Sequence, residues 1–318
     1  MKIAILDDYQ GVALNYADWS TVQTTCAVSV FRHNISDERE LIRELQPFDI
    51  VVAMRERTPF PSSILTELPQ LKLLVTTGSR NRSVDIRAAE ARGVLVCGTD
   101  SPAGGTVELT WGLILALARS IHTHDVALRS GQWQLYLGSE MKGKTLGVLG
   151  LGRIGSTVAA IGKAFGMSVI AWSQNLDTDT AKKHGVDLVT KDVLFQSADV
   201  VTIHLLLSDR TRGLVGEPEL MMMRSTAYLI NTSRGPIVDE NILLRALQQG
   251  WIAGAAVDVF DQEPLAVDHP FRKLDNILLS PHMGYVTKEA YEIFYPQVVE
   301  DIEAFLKGIP IRILSEAS

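Results

Sequence analysis

Short runs of apolar, β-branched residues alternate with amphipathic stretches along almost the whole chain. Lys2–Leu6, Asp49–Met54, Lys72–Thr77 and Val94–Cys97 read as strands, with Asp37–Gln46 and Val84–Arg92 as helices between them. Strands that alternate with helices predict a parallel sheet with helices on both faces. The pattern then breaks at Ser101-Pro-Ala-Gly-Gly105, and one long apolar helix follows from about Thr106 to Ser120. A second series places strands at Leu146–Leu149, Ser168–Trp172, Asp187–Val189, Asp199–Leu205, Ala227–Asn231, Gly254–Val259 and Ile277–Leu279. Its helices include Ile154–Phe165, Lys191–Ser197, Pro218–Met223 and Glu240–Gln249. The last pattern, Lys288–Lys307, is helical, with Gly308 and Pro310 as stop signals and Pro296 predicting a kink.

A chain of 318 residues is long for one core, so two domains are expected. Seven strands in the second series make a full doubly wound sheet of the nucleotide-binding kind. The final helix has no strand of its own to cover in that series. The expected division is therefore 1–100 with 287–318 as a substrate domain, and 101–286 as a dinucleotide-binding domain.

The most specific local signal is Gly150-Leu-Gly-Arg-Ile-Gly155. An apolar strand, Thr145–Leu149, precedes it and a helical pattern follows, which is the context that gives such a motif meaning. Gly150 permits a tight turn, Gly152 lets the backbone approach a pyrophosphate, and Gly155 lets helix pack on strand. The helix N-terminus then holds the phosphates. The competing reading is an ordinary glycine-rich strand–helix turn.

Composition narrows the remaining classes. The chain is 46% hydrophobic and 21% charged, normal for a globular enzyme, and its net charge of −7 argues against nucleic acid or an anionic membrane as partner. Cys26 and Cys97 have no metal-ligand spacing, so free thiols in a reducing, cytoplasmic setting and no metal site are expected. The start, Met-Lys-Ile-Ala-Ile-Leu-Asp-Asp, turns acidic too quickly for a signal peptide, and the apolar helix near Leu109–Ala118 is too short for a membrane span.

An acidic residue that binds the cofactor ribose usually ends the second strand of such a fold. Here the place is Ala171-Trp-Ser-Gln-Asn175, with no carboxylate before Asp177 and no arginine for a 2′-phosphate. Ser173 and Gln174 are candidate ribose ligands. NAD is the favoured cofactor, with NADP as the alternative.

Three further segments lie at the C-terminal ends of expected strands, where open α/β sheets bind ligands. Leu229–Gly235 presents Arg234, whose guanidinium suits a carboxylate. Ala256–Pro264 carries Asp258 and Glu263. Leu279–Gly284 carries His282 after Pro281. Singly, these read as a surface ion pair, a helix cap and a turn histidine. Together they suit hydride transfer to a 2-keto acid. His282 would protonate the carbonyl oxygen, Glu263 would fix its tautomer and favour the imidazolium, and Arg234 would anchor the carboxylate.

Taken together, Gly150–Gly155, Asn231-Thr-Ser-Arg-Gly235, Asp258-Val-Phe-Asp-Gln-Glu-Pro264 and Ser280-Pro-His-Met-Gly284 resemble the D-isomer-specific 2-hydroxyacid dehydrogenases. The resemblance implies two doubly wound parallel-sheet α/β domains, a flavodoxin-like substrate domain and a Rossmann nucleotide-binding domain. It implies a homodimer built mainly through the nucleotide domain and its long helix. It assigns catalysis to Arg234, Glu263 and His282, and the nicotinamide carboxamide to Asp258. It extends the cofactor set to Thr106, Arg153, Ile154, His204, Leu205, Thr232, Ser233 and Gly284. The substrate, a small 2-keto or 2-hydroxy acid, would meet Gly78, Ser79, Arg80, Arg234 and His282.

The chain departs from the family pattern in places. Its first-domain loop is Thr77-Gly-Ser-Arg-Asn-Arg-Ser-Val-Asp85 where the family usually has Gly-x-Gly-x-Asp, so Arg80 and Asn81 are expected to reshape the pocket while the N–H groups of Gly78 and Ser79 bind a carboxylate. His204 is followed by Leu-Leu-Leu rather than an early proline. Glu263 argues against formate oxidation, since relatives with that activity carry Gln there. A cofactor-sensing binding protein of the same fold is the alternative to an enzyme.

Overall fold

The computed structural model describes residues 1–315, in two compact units: Met1–Pro102 together with the chain from Thr287 onward, and Ala103–Val286. The first unit begins with β1 (Lys2–Ile5), α1 (Ser20–Gln23), β2 (Ala27–Val30), α2 (Glu38–Leu45), β3 (Ile50–Ala53), α3 (Ser62–Thr66), β4 (Leu73–Thr76), α4 (Ile86–Ala91) and β5 (Leu95–Gly98). The five strands pair in parallel in the order β2-β1-β3-β4-β5, the flavodoxin-like arrangement. β3 and β4 are buried at every position. A parallel strand covered on both faces has to be apolar throughout, which is why both read as continuous runs. Helix α2 starts where Asp37 accepts the Glu40 N–H at 2.8 Å, and it buries Leu41 and Leu45 on the sheet.

The second unit holds α5 (Gly104–Ala118), α6 (Ile121–Arg129), β6 (Thr145–Leu149), α7 (Arg153–Ala164), β7 (Ser168–Trp172), α8 (Thr178–Lys183), β8 (Asp187–Leu188), α9 (Lys191–Ser197), β9 (Val200–Ile203), α10 (Glu217–Met222), β10 (Tyr228–Asn231), α11 (Glu240–Gln249), β11 (Gly254–Val257) and β12 (Ile277–Leu279). All seven strands are parallel, in the order β12-β11-β10-β9-β6-β7-β8. One core, with Phe195, Leu220, Leu243 and Phe271, covers one face of the sheet. Another, with Trp111, Ile114, Val158 and Ala159 from α5 and α7, covers the other. Burying each of the larger aliphatic and phenylalanine side chains stabilises the fold by about 1.5–3 kcal/mol.

The chain then returns to the first unit as α12 (Lys288–Leu306), one helix with Pro296 inside it, packed on β4 and α1. Thr287 caps it by accepting the Ala290 N–H at 3.1 Å.

Several elements were invisible to periodicity. α1 and α3 are single turns, too short to display a 3.6-residue repeat, and α8 buries only Ala181. β2 is an edge strand with no fully buried residue. α6 turns Ile121, Val126 and Leu128 to the exterior, so its apolar stripe does not mark a core. The strands expected at Asp199–Leu205 and Gly254–Val259 are shorter, because the chain leaves the sheet after Ile203 and Val257 to form loops.

Cys26 and Cys97 are free and buried, and burial pushes the Cys97 thiol up to about 12. Nearby, Asp301 of α12 is wholly buried. Arg312 Nε donates to its Oδ1 at 2.9 Å, while its Oδ2 has no hydrogen-bond partner. Burial pushes the Asp301 carboxyl up to about 7, against the opposing pull of Arg312. Its native pKa thus lies above the unfolded value, and the group binds its proton more tightly when folded. The stability this contributes is complete at acid pH and declines as pH rises from about 4 to about 7. Urea midpoints measured across that range should fall less steeply in Asp301→Asn than in the parent; identical slopes would contradict the assignment.

Candidate active site

The strand order of the second unit runs outward from β6 in both directions, so β6 and β9 flank the point where the winding reverses. Ligands of doubly wound sheets bind outside the carboxyl ends of the strands at that point. The glycine loop stands there. Gly150 has φ +96°, and a Cβ on it would lie 2.7 Å from the His204 carbonyl oxygen after β9. A Cβ on Gly155 would lie 2.0 Å from the Gly150 carbonyl oxygen, so helix, loop and strand pack too closely for any side chain. Gly152 is different: it precedes α7, supplies no side-chain cap, and a Cβ there would meet nothing within 4 Å. Helices α8, α9 and α11 have their first turns capped by Asp177, Thr190 and Asp239. The α7 N-terminus, with Arg153 and Ile154 in its first turn, faces open space with its positive end uncapped. That arrangement fits a pyrophosphate.

At the end of β7, Ser173 is half-buried and Gln174 and Asn175 are exposed. Asp177, the first carboxylate beyond them, accepts the Thr180 N–H at 2.7 Å and its hydroxyl at 3.0 Å, bonds that hold its pKa below the usual range. It serves α8 as a cap. Beyond β9, His204 Nε2 lies 2.9 Å from the Thr202 hydroxyl, and burial pushes its pKa down to about 3, so the ring is neutral. The Leu205 carbonyl accepts the Ser233 hydroxyl. Thr232 and Thr110 share a hydroxyl contact of 2.8 Å, and Thr110 also donates to the Thr106 carbonyl.

Arg234, Glu263 and His282 follow β10, β11 and β12, three neighbours at one end of the sheet. Glu263 and His282 meet directly: His282 Nδ1 lies 2.5 Å from Glu263 Oε2, and both side chains are mostly shielded. Glu263 Oε1 accepts the Phe260 N–H at 2.9 Å, so the carboxylate is fixed at both oxygens. With a carboxylate on Nδ1, the other ring nitrogen, Nε2, is the one available to a substrate. His282 has φ +53°, in the left-handed region that β-carbon-bearing residues seldom occupy. Arg234 Nη1 donates to the Ser233 carbonyl at 2.7 Å, and the Arg234 carbonyl accepts from Asn231. The two loops touch at Gly235, where a Cβ would be 2.1 Å from the Phe260 carbonyl carbon.

Asp258 holds the histidine turn in place. It is buried, and it accepts the Ser280 hydroxyl at 2.5 Å, the Met283 N–H at 2.7 Å and the Gly284 N–H at 2.9 Å. Burial raises its pKa, opposed by those same donors. The Gly284 carbonyl in turn accepts the Thr106 hydroxyl at 2.9 Å, which ties the turn to α5. The motif pattern suggested a ligand for Asp258. It held no signal for this internal bonding, since Ser280 and Thr106 are ordinary residues of their segments.

The first unit corrects part of the sequence reading. Gly78, at φ +104°, is buried, and its N–H donates to the Thr99 hydroxyl at 2.7 Å. That N–H is therefore not available to a substrate carboxylate. Asn81 turns inward. It is buried and bonds the Arg55 carbonyl, the Thr76 hydroxyl and the backbone and hydroxyl of Ser83. Ser79 and Arg80 are exposed. Among the described residues no group of His, Cys, Asp and Glu could hold a metal, and no helix is long and apolar enough to cross a membrane. Exposed apolar residues gather on α6 and the segment after it, including Val126, Trp133, Tyr136 and Leu137.

The model of the NAD-binding domain of D-isomer-specific 2-hydroxyacid dehydrogenases matches residues 111–284. A glyoxylate reductase of Aeropyrum pernix is 40% identical over 77% of this chain and 76% of its own. A D-3-phosphoglycerate dehydrogenase of Archaeoglobus fulgidus is 34% identical over 98% of this chain, which spans only 58% of that protein's length. Among solved structures, a phosphoglycerate oxidoreductase of Vibrio cholerae superposes with a TM-score of 0.92 at 37% identity, covering 97% of this chain and 99% of its own.

The Asp258 network makes a stability prediction. Ser280→Ala removes a buried donor to a carboxylate and should cost about 1.5–3 kcal/mol in urea unfolding. A loss below about 0.5 kcal/mol would show that the carboxylate does not depend on this hydroxyl.

Proposed function

We propose that this chain, which belongs to the D-isomer-specific 2-hydroxyacid dehydrogenase family, reduces a small 2-keto acid to its D-2-hydroxy acid with His282 as the proton donor. The observation that carries this reading is the 2.5 Å contact between His282 Nδ1 and Glu263 Oε2 at the ends of neighbouring strands. Such a pair fixes the tautomer and leaves Nε2 to serve the substrate oxygen.

A bound nicotinamide dinucleotide supplies the hydride. Gly150, Gly152 and Gly155, with Arg153 and Ile154 in the first turn of α7, hold its pyrophosphate. Ser173 and Gln174 bond its ribose, and NAD is favoured over NADP. His204, Leu205, Thr232 and Ser233 line the same strand ends, with Thr106, Asp258 and Gly284 beside them. His282 delivers a proton from Nε2 to the carbonyl oxygen during reduction and takes it back in oxidation. Glu263 keeps the ring oriented through Nδ1 during that exchange. Arg234 pairs with the substrate carboxylate through its fork of N–H donors and polarises the adjacent carbonyl.

The five-stranded unit, residues 1–100 with 287–318, is assigned as the substrate domain, with Ser79 and Arg80 as its candidate contacts. The exposed apolar residues of α6 and the segment after it support a homodimer. The two free buried cysteines suit a reducing cytoplasm.

Two variants test the reading. His282→Asn should keep NADH binding, read by nucleotide fluorescence, and lower kcat by about 10²–10⁴-fold. A near-normal kcat would mean that another group supplies the proton. Arg234→Lys keeps the charge but not the fork. It should lower kcat/KM for a 2-keto acid by on the order of 10²-fold, while turnover of an aldehyde lacking a carboxylate changes little. Equal losses for both substrates would make Arg234 structural.

A further inference from the structure

Glu263 sits on a loop of irregular backbone, 258–269, between β11 and the turn at Pro270–Lys273. A carboxylate that must meet His282 to within a few tenths of an ångström needs this loop held still. The hydrogen bonds at the neck of the loop converge on one side chain outside it, Glu240, in the first turn of α11. Glu240 Oε2 accepts the Asp261 N–H at 3.2 Å, two residues before Glu263. Glu240 Oε1 lies 3.0 Å from His269 Nε2, six residues after it. One carboxylate therefore grips both limbs of the loop.

The histidine half of this grip has a defined polarity. His269 Nδ1 accepts the Phe271 N–H at 3.3 Å, so the proton is on Nε2 and is donated to Glu240. The ring also packs edge-on against Phe271, a buried core residue, at a centroid distance of 4.9 Å. The imidazole is thereby anchored to the core. From the turn that follows the loop, Arg272 Nη2 and Nε bond the Leu265 and Ala266 carbonyls at 2.9 and 2.8 Å, closing its far limb. Asp239, beside Glu240, is occupied with the Ile242 N–H as the α11 cap. The charges of Glu240 and Asp239 raise the Asp261 carboxyl pKa after burial, and Arg212 and His269 oppose them. Holding three carboxylates this close is unfavourable by itself. Asp239 is offset by the helix N-terminus and Glu240 by its two donors.

We propose that Glu240 is a positioning residue of the dehydrogenase reaction: by clamping Asp261 and His269 across the neck of the loop, it holds Glu263 against His282. The proposal rests on the Glu263–His282 reading given above. Glu240 itself touches neither substrate nor cofactor in this scheme. A carboxylate is required because both partners are donors. Glutamine offers one acceptor, and its NH2 group faces either a backbone N–H or the protonated Nε2 of His269. Misplacement of a reacting group by about 1 Å can cost about 10²-fold in rate.

The test is a double-mutant cycle on the intact enzyme. It uses NADH and whichever of glyoxylate, hydroxypyruvate and pyruvate is turned over fastest. Glu240→Ala should lower kcat by about 10- to 100-fold, with NADH affinity and the KM for the keto acid within about twofold of the parent. In a Glu263→Gln background the same change should lower kcat less than about twofold, because its route to His282 is already cut. Glu240→Gln should fall between parent and Glu240→Ala, and it carries the test should the alanine variant not fold. An undiminished kcat in Glu240→Ala, or equal losses in both backgrounds, would overturn the clamp while leaving the pair intact. A Glu263→Gln variant with parental kcat would instead overturn the pair, and the clamp with it.

Discussion

Parallel pairing is the constraint from which the rest of the second unit follows. Because all seven strands run the same way, every strand-to-helix loop at the carboxyl end opens on the same edge of the sheet. The glycine turn after β6, the His204 segment after β9, and Arg234, Glu263 and His282 after β10, β11 and β12 are brought to that edge by pairing alone. They are separated by up to 132 positions in the chain, from Gly150 to His282. The central strands β6, β9, β10 and β11 are short and buried at nearly every position, so none of them can slip by a residue or leave the sheet without exposing core.

Onto that edge the chain adds a second layer of fixed polar contacts. Asp258 bonds the residues on either side of His282, and Glu263 bonds the imidazole itself. These contacts hold His282 at a backbone angle that would otherwise be unfavourable. Glu263 in turn depends on a loop whose neck closes on Glu240. The buried Asp258 carboxylate is matched by three donors, as its desolvation requires. The imidazole proposed above as the proton donor is thereby held in place by the fold itself, the condition under which electrostatic and general acid catalysis are most effective.

The cofactor end follows the opposite rule. There α7 has no side-chain cap, and the space in front of Gly152 is open. Helices α8, α9 and α11 spend an aspartate or threonine on the same position. Ser173–Asn175 carry no carboxylate, and the next one along the chain, Asp177, is committed to capping α8.

The alternation of strand and helix patterns, the glycine motif and the three strand-end segments were all legible in the sequence, because each is a local signal. Periodicity depends on burial of neighbouring positions, and a tight turn depends on glycine itself. The pairing of Glu263 with His282 could be anticipated from the chemistry of an acid beside an imidazole. α1, α3, α8 and the edge strand β2 were not legible, since four or five residues show no repeat, α8 buries a single residue, and a solvent-facing edge carries no apolar run. Only the tertiary structure decided that the Gly78 N–H is spent on Thr99, that Asn81 turns inward, and that Asp258 and Glu240 act as anchors. Several of the hydrogen bonds involved join residues 21 to 29 positions apart. Their existence depends on which backbone groups the folded chain leaves without a partner, and that is a property of the whole packed unit rather than of any segment.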